Sequence, residues 1–526
     1  MWWRDGVIYQ IYPRSFQDTD ADGVGDLPGI TRRLPHLVDL GVDAVWISPF
    51  YLSPMADFGY DVADHTAVDP LFGTLADFDA LLSGAHALGL KVILDFVPNH
   101  TSDRHPWFVE ARASRTNARR DWYIFRDPAP DGGPPNNWRS EFGGSAWEFD
   151  AASGQYYCHA FLPEQPDLDW RNPQVVAAMH NVMRFWFSRG VDGLRIDALW
   201  HLMKDELLRD NPPDPAFREG MNPYRRLLPV HSTDTAEVHD AIAGMRQVAD
   251  AFGDRLLIGE AYLPFERLAA YFGKDGGGVH LPFNFALLEA PWTARALDDG
   301  IARYEASLPA GAWPNWVLSN HDRPRIAGRV GRDQARVAAM LLLTLRGTPT
   351  LYYGDEIAMD QVPIPPERVM DPWEKRVPGL GLGRDGARTP MQWDSGPFAG
   401  FSTVEPWLPL AADYTEVNVQ AEKASPFSML TLTRALLALR RARPALTRGS
   451  YRRLGADGDL LAYVREGEGE RLLVALNLGG DPLSLALPDG GPKGEVLLST
   501  YCDREGEKVA GALAVRPNEG VMTALA

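Results

Sequence analysis

The sequence has few cysteines and no long apolar run. Only Cys158 and Cys502 occur among 526 residues, and two such distant cysteines do not form a disulfide framework. No window approaches about 18 uncharged apolar residues, so we expect no membrane-spanning helix. The N-terminal sequence has no apolar run followed by a cleavage site of small residues, which predicts that no signal peptide is present. We therefore expect a cytoplasmic protein.

An excess of positive charge is also missing. Asp and Glu together number 70 and Lys and Arg together 52, which gives a formal net charge of −18. Nucleic acids and anionic membranes favour basic protein faces. We therefore expect neither as the main partner, and expect small neutral substrates instead. Whether the chain is a monomer or a homo-oligomer is left open.

Eight short apolar runs alternate along the chain with helix-like or loop-rich segments. Their continuous apolar character is typical of strands that are buried on both faces. Between two of them, residues 75–90 have apolar side chains at helical spacing, with Gly89 placed to end a helix. This alternation predicts an α/β fold, a (β/α)₈ TIM barrel. The predicted strands are 7–13, 42–49, 91–98, 191–198, 255–262, 279–286, 313–320 and 348–355.

Interruptions of this alternation predict the domain organisation. Residues 101–170 are rich in Trp, Pro, Gly and Asn and too long for a simple loop, so we expect an inserted subdomain after strand 3. A second insertion, at about 201–236, follows strand 4. After a last helix at 429–446, alternating runs with Gly turns predict a C-terminal antiparallel β-domain. The predicted domains are the barrel (1–100 and 171–445), the inserted subdomain (101–170) and the β-domain (446–526).

Charged side chains gather at the predicted C-terminal ends of the strands, where barrel enzymes hold their active sites. Each acid alone could be a helix cap or a turn former. Histidine and arginine beside several acids need another explanation, because buried negative charge must be balanced. The residues are Asp95, Asn99 and His100 (strand 3), Arg195 and Asp197 (strand 4), Glu260 (strand 5), and Asn320, His321 and Asp322 (strand 7).

These residue types favour the cleavage of a glycosidic bond. The sequence has no HExxH or CxxC pattern of a zinc site and no GxSxG nucleophile motif. It also has no Gly-rich phosphate loop after a strand, so we expect no organic cofactor. Glycoside hydrolysis requires two carboxylates with separate tasks. One attacks the anomeric carbon or activates water, and the other protonates the leaving oxygen.

Seven motifs, in order, resemble those of the α-amylase family of glycoside hydrolases (family 13), within its α-glucosidase and oligo-1,6-glucosidase branch. The resemblance covers essentially the whole chain. It implies an exo-acting enzyme that retains the anomeric configuration. The motifs are GVDAVWISP (41–49), DFVPNH (95–100), QPDLDW (165–170), GLRIDA (193–198), GEAY (259–262), SNHD (319–322) and GTPTLYYGDEI (347–357).

The resemblance implies the catalytic roles. Asp197 corresponds to the nucleophile, Glu260 to the general acid/base, and Asp322 to a third carboxylate that holds the sugar hydroxyls and the distorted ring. Arg195 would keep Asp197 ionised. A retaining mechanism predicts that the carboxyl groups of Asp197 and Glu260 lie about 5–5.5 Å apart.

The resemblance also implies residues that bind substrate. His100 and His321 correspond to histidines that bond the hydroxyls of the −1 sugar. In ADFGYD (56–61), Asp57 would bond the terminal hydroxyls and Tyr60 would stack under the −1 ring. Arg388, in RDGAR (384–388), falls where the branch pairs an arginine with that aspartate. The alternative for Arg388 is a surface salt bridge.

The residue after the nucleophile bears on linkage preference. In this branch Val there accompanies α-1,6 action, and Ala or Thr accompanies α-1,4 action; here it is Ala198. We therefore expect an α-glucosidase for short α-1,4-linked oligosaccharides such as maltose, with sucrose as a further candidate and with some transglucosylation. The alternatives left open are an oligo-1,6-glucosidase, a transglucosylase, a sucrose isomerase, a trehalose-acting enzyme and an inactive sugar-binding relative. Phe142 and Phe161 would line the aglycone side, unless they only pack between domains.

DTDADGVGD (18–26) has oxygen-bearing side chains at alternate positions and a glycine at the sixth, like the first half of an EF-hand loop. Gly29 stands at the twelfth position instead of the bidentate Glu, so an EF-hand is not expected. The resemblance implies a structural Ca²⁺ here, with Mg²⁺ as the alternative ion and a solvated turn as the alternative to a site. The implied ligands are Asp18, Asp20, Asp22, Asp26 and the carbonyl of Val24.

Overall fold

The computed structural model of the protein describes residues 1–488 and 493–526 and contains all eight predicted barrel strands. The strands form one parallel sheet in the order β6-β5-β4-β3-β2-β1-β8-β7, which confirms the predicted TIM barrel. They are β1 (Ile8–Ile11), β2 (Ala44–Ile47), β3 (Lys91–Phe96), β4 (Gly193–Ile196), β5 (Leu256–Gly259), β6 (Leu281–Pro282), β7 (Asn315–Val317) and β8 (Thr348–Tyr352).

The side chain of Asn315 bridges β6 and β7, the two strands at the ends of that order. Its Oδ1 accepts a hydrogen bond of 3.0 Å from the backbone N–H of Asn284, and its Nδ2 donates to the carbonyl of Pro282. β6 is much shorter than the predicted 279–286. Pro282 has no N–H to continue the ladder, so a side chain joins the two strands there.

Seven long helices accompany the barrel strands. The helix predicted at 75–90 ends at Ala87, and it begins with a capping box between Thr74 and Asp77. The helix predicted at 429–446 ends at Ala442, because Pro444 cannot continue it. They are α1 (Leu27–Leu40), α2 (Leu75–Ala87), α3 (Pro173–Arg189), α4 (Val238–Asp250), α5 (Ala294–Ser307), α6 (Arg332–Thr344) and α7 (Met429–Ala442).

Shorter helices lie mainly in the connections. They are Trp2–Asp5, Pro106–Ala113, Phe265–Leu268, Ala286–Glu289, Ile326–Val330, Pro372–Arg376, Val419–Ala424 and Pro444–Thr447. Within the described ranges, no helix combines the length and the apolarity that a bilayer crossing requires.

Two buried apolar clusters hold the barrel together. Ile8, Trp46, Ile93 and Ile258 belong to a cluster contributed by alternate residues of the strands, as expected for the barrel interior. A larger cluster joins the outward-facing strand residues to the helices. The strand ends are therefore fixed by packing on both faces of the sheet.

Three further sheets lie outside the barrel within residues 1–488 and 493–526. The first is a two-stranded antiparallel sheet in the connection after β2, formed by Tyr51–Leu52 and Asp64–Val68. After β3, the strands Phe125–Arg126, Trp147–Asp150 and Gln155–Cys158 form a small antiparallel sheet within the predicted insertion. The C-terminal residues form the predicted antiparallel sheet, in the order β9-β10-β11-β16-β13-β14-β15-β12. The predicted domain boundaries themselves stay predictions. The C-terminal strands are β9 (Ser450–Asp457), β10 (Leu460–Gly467), β11 (Glu470–Asn477), β12 (Leu483–Ala486), β13 (Lys493–Ser499), β14 (Lys508–Ala510), β15 (Ala512–Val515) and β16 (Gly520–Leu525).

Candidate active site

A cavity of about 890 Å³ lies at the C-terminal ends of the barrel strands. Most of the residues predicted for catalysis and binding line it. Arg195 and Arg388 are buried behind this lining. The predicted residues that line the cavity are Asp57, Tyr60, His100, Phe142, Phe161, Asp197, Glu260, His321 and Asp322.

Two neighbouring strands present the proposed nucleophile and acid. The N–H of Asp197 donates to the carbonyl of Phe96 over 2.8 Å, and the N–H of Glu260 donates to the carbonyl of Ile196 over 3.0 Å. Both acids therefore extend the ladder by one residue beyond β4 and β5. Because parallel strands end at the same edge of the sheet, the two carboxylates enter the cavity side by side.

A single guanidinium holds three carboxylates together. Nη1 of Arg195 donates to Asp95 Oδ1 and to Asp197 Oδ1, each over 2.7 Å, and Nη2 lies 2.9 Å from Glu260 Oε2. The side chain of Arg195 is only 1% exposed. The predicted contact between Arg195 and Asp197 is present. The structure adds Asp95 and Glu260, so one buried positive charge faces three acids.

This charge imbalance affects protonation. Burial raises the pKa of Asp197 and of Glu260; the positive charge of Arg195 opposes the shift, and neighbouring carboxylates add to it. Each of two close buried carboxylates disfavours ionisation of the other, so the second proton of the pair is lost less readily than the first. Oε2 of Glu260 accepts from the N–H of Ala198 over 2.9 Å as well as from Arg195. Oε1 is therefore the oxygen suited to carry that proton.

Asp322 lies in a more positive environment. Its Oδ1 is 3.0 Å from Nη2 of Arg388 and 3.3 Å from Nη1 of Arg384, and its Oδ2 is 3.2 Å from Nε2 of His321. Burial acts to raise the pKa of Asp322, but His321 and the guanidinium groups of Arg384 and Arg388 lower it below its usual range. Burial lowers the pKa of His321, and the charge of Asp322 opposes this shift. Asp322 is therefore ionised when the Asp197–Glu260 pair still holds a proton.

Tyr60 and His321 form a rigid unit on one side of the cavity. Their rings stack with centroids 5.4 Å apart and an interplanar angle of 3°. The hydroxyl of Tyr60 is 2.6 Å from Nε2 of His321 and 3.1 Å from Asp95 Oδ2, while Nε2 of Gln10 is 2.7 Å from Nδ1 of His321. These contacts fix both ring planes before any ligand binds.

The prediction that Arg388 pairs with Asp57 was wrong. Nη2 of Arg384, not Arg388, donates to Asp57 Oδ1 over 2.7 Å. Arg388 instead donates through Nε to the carbonyl of His321 over 2.7 Å and through Nη2 to Asp322. A 3₁₀ turn over Asp385–Ala387 separates the two arginines, so they reach different acids. Arg388 is fully buried, which also excludes the surface salt bridge.

Gln165 was not predicted as a site residue. Its Nε2 donates to Asp57 Oδ2 over 3.3 Å and lies 3.1 Å from Nε2 of His100, whose Nε2 is also 3.1 Å from the carbonyl of Tyr60. Gln165 opens the QPDLDW motif and Arg384 opens RDGAR, so both lay inside segments already recognised. The motifs indicated these segments as part of the site, but they did not indicate which side chain of each segment would face the cavity.

Aromatic side chains line the outer part of the cavity. Phe142 and Phe161 meet edge to face at 5.8 Å, and both lie along the cavity rather than only between domains. Six further aromatic rings of the lining were not predicted: Trp200, Tyr224, Phe265, Trp373, and Tyr262 and Phe285, which stack at 4.2 Å. Tyr262 is the last residue of predicted strand 5 and Phe285 the last but one of predicted strand 6. These positions at strand ends could have indicated both residues.

Ala198 has an unusual backbone. It adopts φ +46° and ψ +39°, the left-handed region that side-chain-bearing residues seldom occupy, and it is buried. This conformation directs its N–H at Glu260 Oε2. Such strain persists only where the surroundings enforce it, and it is concentrated at functional sites.

The acidic loop after β1 brings together three of the four predicted acids. Carboxylate oxygens of Asp18, Asp20 and Asp22 can lie within 4.8 Å of one another. These hard oxygen donors fit Ca²⁺ or Mg²⁺. Asp26 is not in this group, because its Oδ1 accepts the N–H of Gly29 over 2.6 Å and caps α1. The backbone of Val24 is in the same loop, with its N–H bonded to Asp22 Oδ1 over 2.7 Å.

Comparison with known proteins agrees with this geometry. The model of the "Alpha amylase, catalytic domain" family matches residues 10–449, and a domain of unknown function, DUF3459, matches 447–516. The chain is 44% identical over 503 residues to a probable α-glucosidase of Rhizobium meliloti (strain 1021), covering 93% of this chain and 91% of that protein. It is 38% identical over 542 residues to an oligo-1,6-glucosidase of Heyndrickxia coagulans, covering 95% and 96%. The crystal structure of the α-glucosyl transfer enzyme XgtA superposes with a TM-score of 0.94 at 42% identity, over 100% and 99% of the two chains.

Proposed function

This chain belongs to the α-amylase family of glycoside hydrolases, and we propose that it is a retaining, exo-acting α-glucosidase. It releases α-glucose from the non-reducing end of short α-1,4-linked oligosaccharides such as maltose, with sucrose as a further substrate. Its substrates are small, neutral α-glucosides. We place it in the cytoplasm, a proposal supported by its two free cysteines.

The observation that carries the exo assignment is the closed end of the cavity. Arg384 bonds Asp57 and Asp322 with the same guanidinium, so a charged wall stands directly beside the catalytic acids. An endo-acting enzyme needs a cleft that a polymer can cross on both sides of the cleavage point. We propose that this wall stops the substrate after one terminal sugar, whose hydroxyls Asp57 bonds.

The proposed chemistry is a double displacement. The carboxylate of Asp197 attacks C1 of the terminal glucose while Glu260 transfers its proton to the departing glycosidic oxygen. Glu260 then takes a proton from water, which attacks C1 and displaces Asp197. The shared proton of the pair supports this division, because one acid must be ionised and the other protonated at the start.

The remaining residues hold the sugar. We assign Asp322, His100 and His321 to its hydroxyls, with Tyr60 stacked under the ring. The ionised Asp322 accepts hydrogen bonds that strengthen as the ring distorts towards the oxocarbenium-like transition state. We assign Phe142 and Phe161 to the aglycone side, because both rings line the same cavity as the catalytic acids.

Two observations bear on linkage preference and one on the choice of acceptor. Ala198 supports α-1,4 action, whereas the resemblance to an oligo-1,6-glucosidase supports the alternative of α-1,6 action. The likeness to a glucosyl transfer enzyme supports transfer to a sugar acceptor, since water and sugar compete for the same glucosyl-enzyme. Sucrose isomerisation, trehalose cleavage and an inactive binding role are the further alternatives.

A substrate panel tests the function. Initial rates on maltose, isomaltose, sucrose, trehalose, trehalose 6-phosphate and starch should show maltose preferred, and NMR should show α-glucose as the first anomer released. Rapid loss of starch viscosity would refute exo action. β-Glucose as the first product would refute retention.

We further propose that Asp18, Asp20 and Asp22, with the carbonyl of Val24, bind Ca²⁺, or Mg²⁺ in its place. Three carboxylates in five residues repel one another without a cation, which supports this assignment. Asp26 would join them only if it left its cap on α1. The ion would stabilise the loop after β1, because these residues lie outside the lining of the catalytic cavity.

A further inference from the structure

The guanidinium of Arg384 is shared by three carboxylates, of which only two face the cavity. Nη2 donates to Asp57 Oδ1 over 2.7 Å, and Nη1 lies 3.3 Å from Asp322 Oδ1. The third carboxylate belongs to Asp371, whose Oδ1 accepts from Nη2 over 2.7 Å. The rings of Phe142 and Trp373 lie 5.0 Å and 5.9 Å from the guanidinium carbon.

Asp371 makes more contacts to Arg384 than either acid of the cavity. Both of its carboxylate oxygens accept from Nε of Arg384 over 3.1 Å, and Oδ2 accepts the backbone N–H of Arg384 over 2.6 Å. Its Oδ1 also caps the short helix Pro372–Arg376 by accepting from the N–H of Trp373 over 3.1 Å. Asp371 is 0% exposed and is not part of the cavity lining, so it cannot touch a substrate.

We propose that Asp371 is a positioning residue for substrate specificity: it fixes the plane of the Arg384 guanidinium, which in turn holds Asp57 where it bonds the terminal hydroxyls of the substrate. This inference rests on the proposed function, because it assumes that Asp57 closes a pocket for one terminal glucose. It assigns to a residue buried behind the cavity wall a part of the selection for non-reducing ends.

The geometry of arginine gives the reason. A guanidinium is planar, with donors in a fixed fork, so two bonds on its Nε and Nη2 edge determine the direction of the remaining N–H groups. Asp371 accepts the hydrogen bonds from that edge. The outward N–H groups are then aimed at Asp57 and Asp322. Without Asp371, Arg384 could rotate about its side-chain bonds, and Asp57 would lose its orientation but keep its chemistry.

The test compares two substrates that differ by one hydroxyl. We measure kcat/KM for p-nitrophenyl α-glucoside and for its 4-deoxy analogue. The wild-type enzyme should prefer the full glucoside by about 100-fold or more, because the 4-deoxy analogue lacks the hydroxyl that donates to the buried carboxylate of Asp57. Asp371→Asn should lower this preference at least about tenfold. The loss should appear mainly as a higher KM for the full glucoside.

Glu374→Gln is the matched control. Glu374 lies in the same segment and holds it through bonds from the N–H groups of Gly379 and Gly383, at 2.9 Å and 3.2 Å, but it does not bond Arg384. Loosening of the segment alone would lower the preference in this variant too. We expect Glu374→Gln to keep the wild-type preference within about twofold, and an equal loss in both variants would overturn the proposal.

Further variants keep the result interpretable. If Asp371→Asn does not fold, as judged by circular dichroism, Asp371→Glu carries the test, because its longer chain displaces Arg384 while keeping the charge. In an Arg384→Lys background, Asp371→Asn should change the preference by less than about twofold, since the effect acts through Arg384. If the wild type is active and a folded Asp371 variant keeps the wild-type preference for the full glucoside, this inference alone is overturned. A wild type without activity on any α-glucoside overturns the proposed function itself.

Discussion

Replacing Glu260 by Gln should separate proton transfer from all other contributions of this side chain. Its Oε2 accepts two hydrogen bonds, from the N–H of Ala198 and from Nη2 of Arg195, each at 2.9 Å. The carbonyl oxygen of a glutamine can accept both. The variant should therefore keep the position of the side chain and lose only the proton that Glu260 carries.

The size of the loss should depend on the leaving group. General acid catalysis contributes about 10²–10⁴-fold, or about 2.7–5.4 kcal/mol at about 1.36 kcal/mol per factor of ten. Maltose has a poor leaving group and should show the full loss in kcat/KM. α-Glucosyl fluoride has a leaving group that needs little protonation, so its glycosylation step should slow less than about tenfold.

The assay compares kcat/KM for both substrates, with and without azide. Azide needs no general base, so it should speed turnover of α-glucosyl fluoride by Glu260→Gln and yield α-glucosyl azide. Glu266→Gln, an exposed acid outside the cavity lining, is the control and should behave as wild type. Equal losses on maltose and on the fluoride, without rescue by azide, would refute the role of Glu260 as the acid.

Three other predictions follow from the site and the loop. Activity on maltose should rise with pH as Asp197 becomes ionised and fall as Glu260 loses its proton. Burial raises the pKa of both acids above their ordinary 3.8 and 4.5. A rising limb of the pH profile centred below about 4 would contradict the shared-proton model. Ala198→Val should lower the ratio of the maltose rate to the isomaltose rate. It should also lower the free energy of unfolding by roughly 1–3 kcal/mol in denaturant, because a β-branched residue is strained at φ +46°. Ala198→Gly relieves the strain and therefore separates the effect on stability from the effect on linkage preference. EDTA should lower Tm more than the initial rate, and added Ca²⁺ should restore it; an unchanged Tm would refute the cation site.

Several features of the site could be predicted because they are encoded within short segments. The eight strands follow from local apolar runs. Strand-end positions indicate Asp95, Asp197, Glu260 and Asp322, and the motif resemblance assigns catalytic roles to the last three. The contact that joins β6 to β7 was harder to predict, because the Asn315 side chain bonds the carbonyl of Pro282, 33 residues away in sequence. The early end of α7 could have been anticipated from Pro444 alone.

The partners of the binding residues could not be predicted from single motifs. RDGAR contains two arginines, and the sequence does not say which one reaches Asp57, 327 residues away. The choice depends on the 3₁₀ turn between them and on Asp371, whose carboxylate holds Arg384. Asp371 had no recognisable motif, since its function is a contact with another side chain and not with substrate.

By itself the sequence determined the barrel and the C-terminal sheet, because periodicity is a property of neighbouring residues, and its motifs indicated the acids through their resemblance to a known family. Only the tertiary structure decided how those acids are charged and oriented. It brought Asp95, Asp197 and Glu260 onto the single guanidinium of Arg195, and it gave Asp57 to Arg384. Burial and distance fix the pKa of an acid and the partner of an arginine, and both quantities exist only once separate segments have packed together.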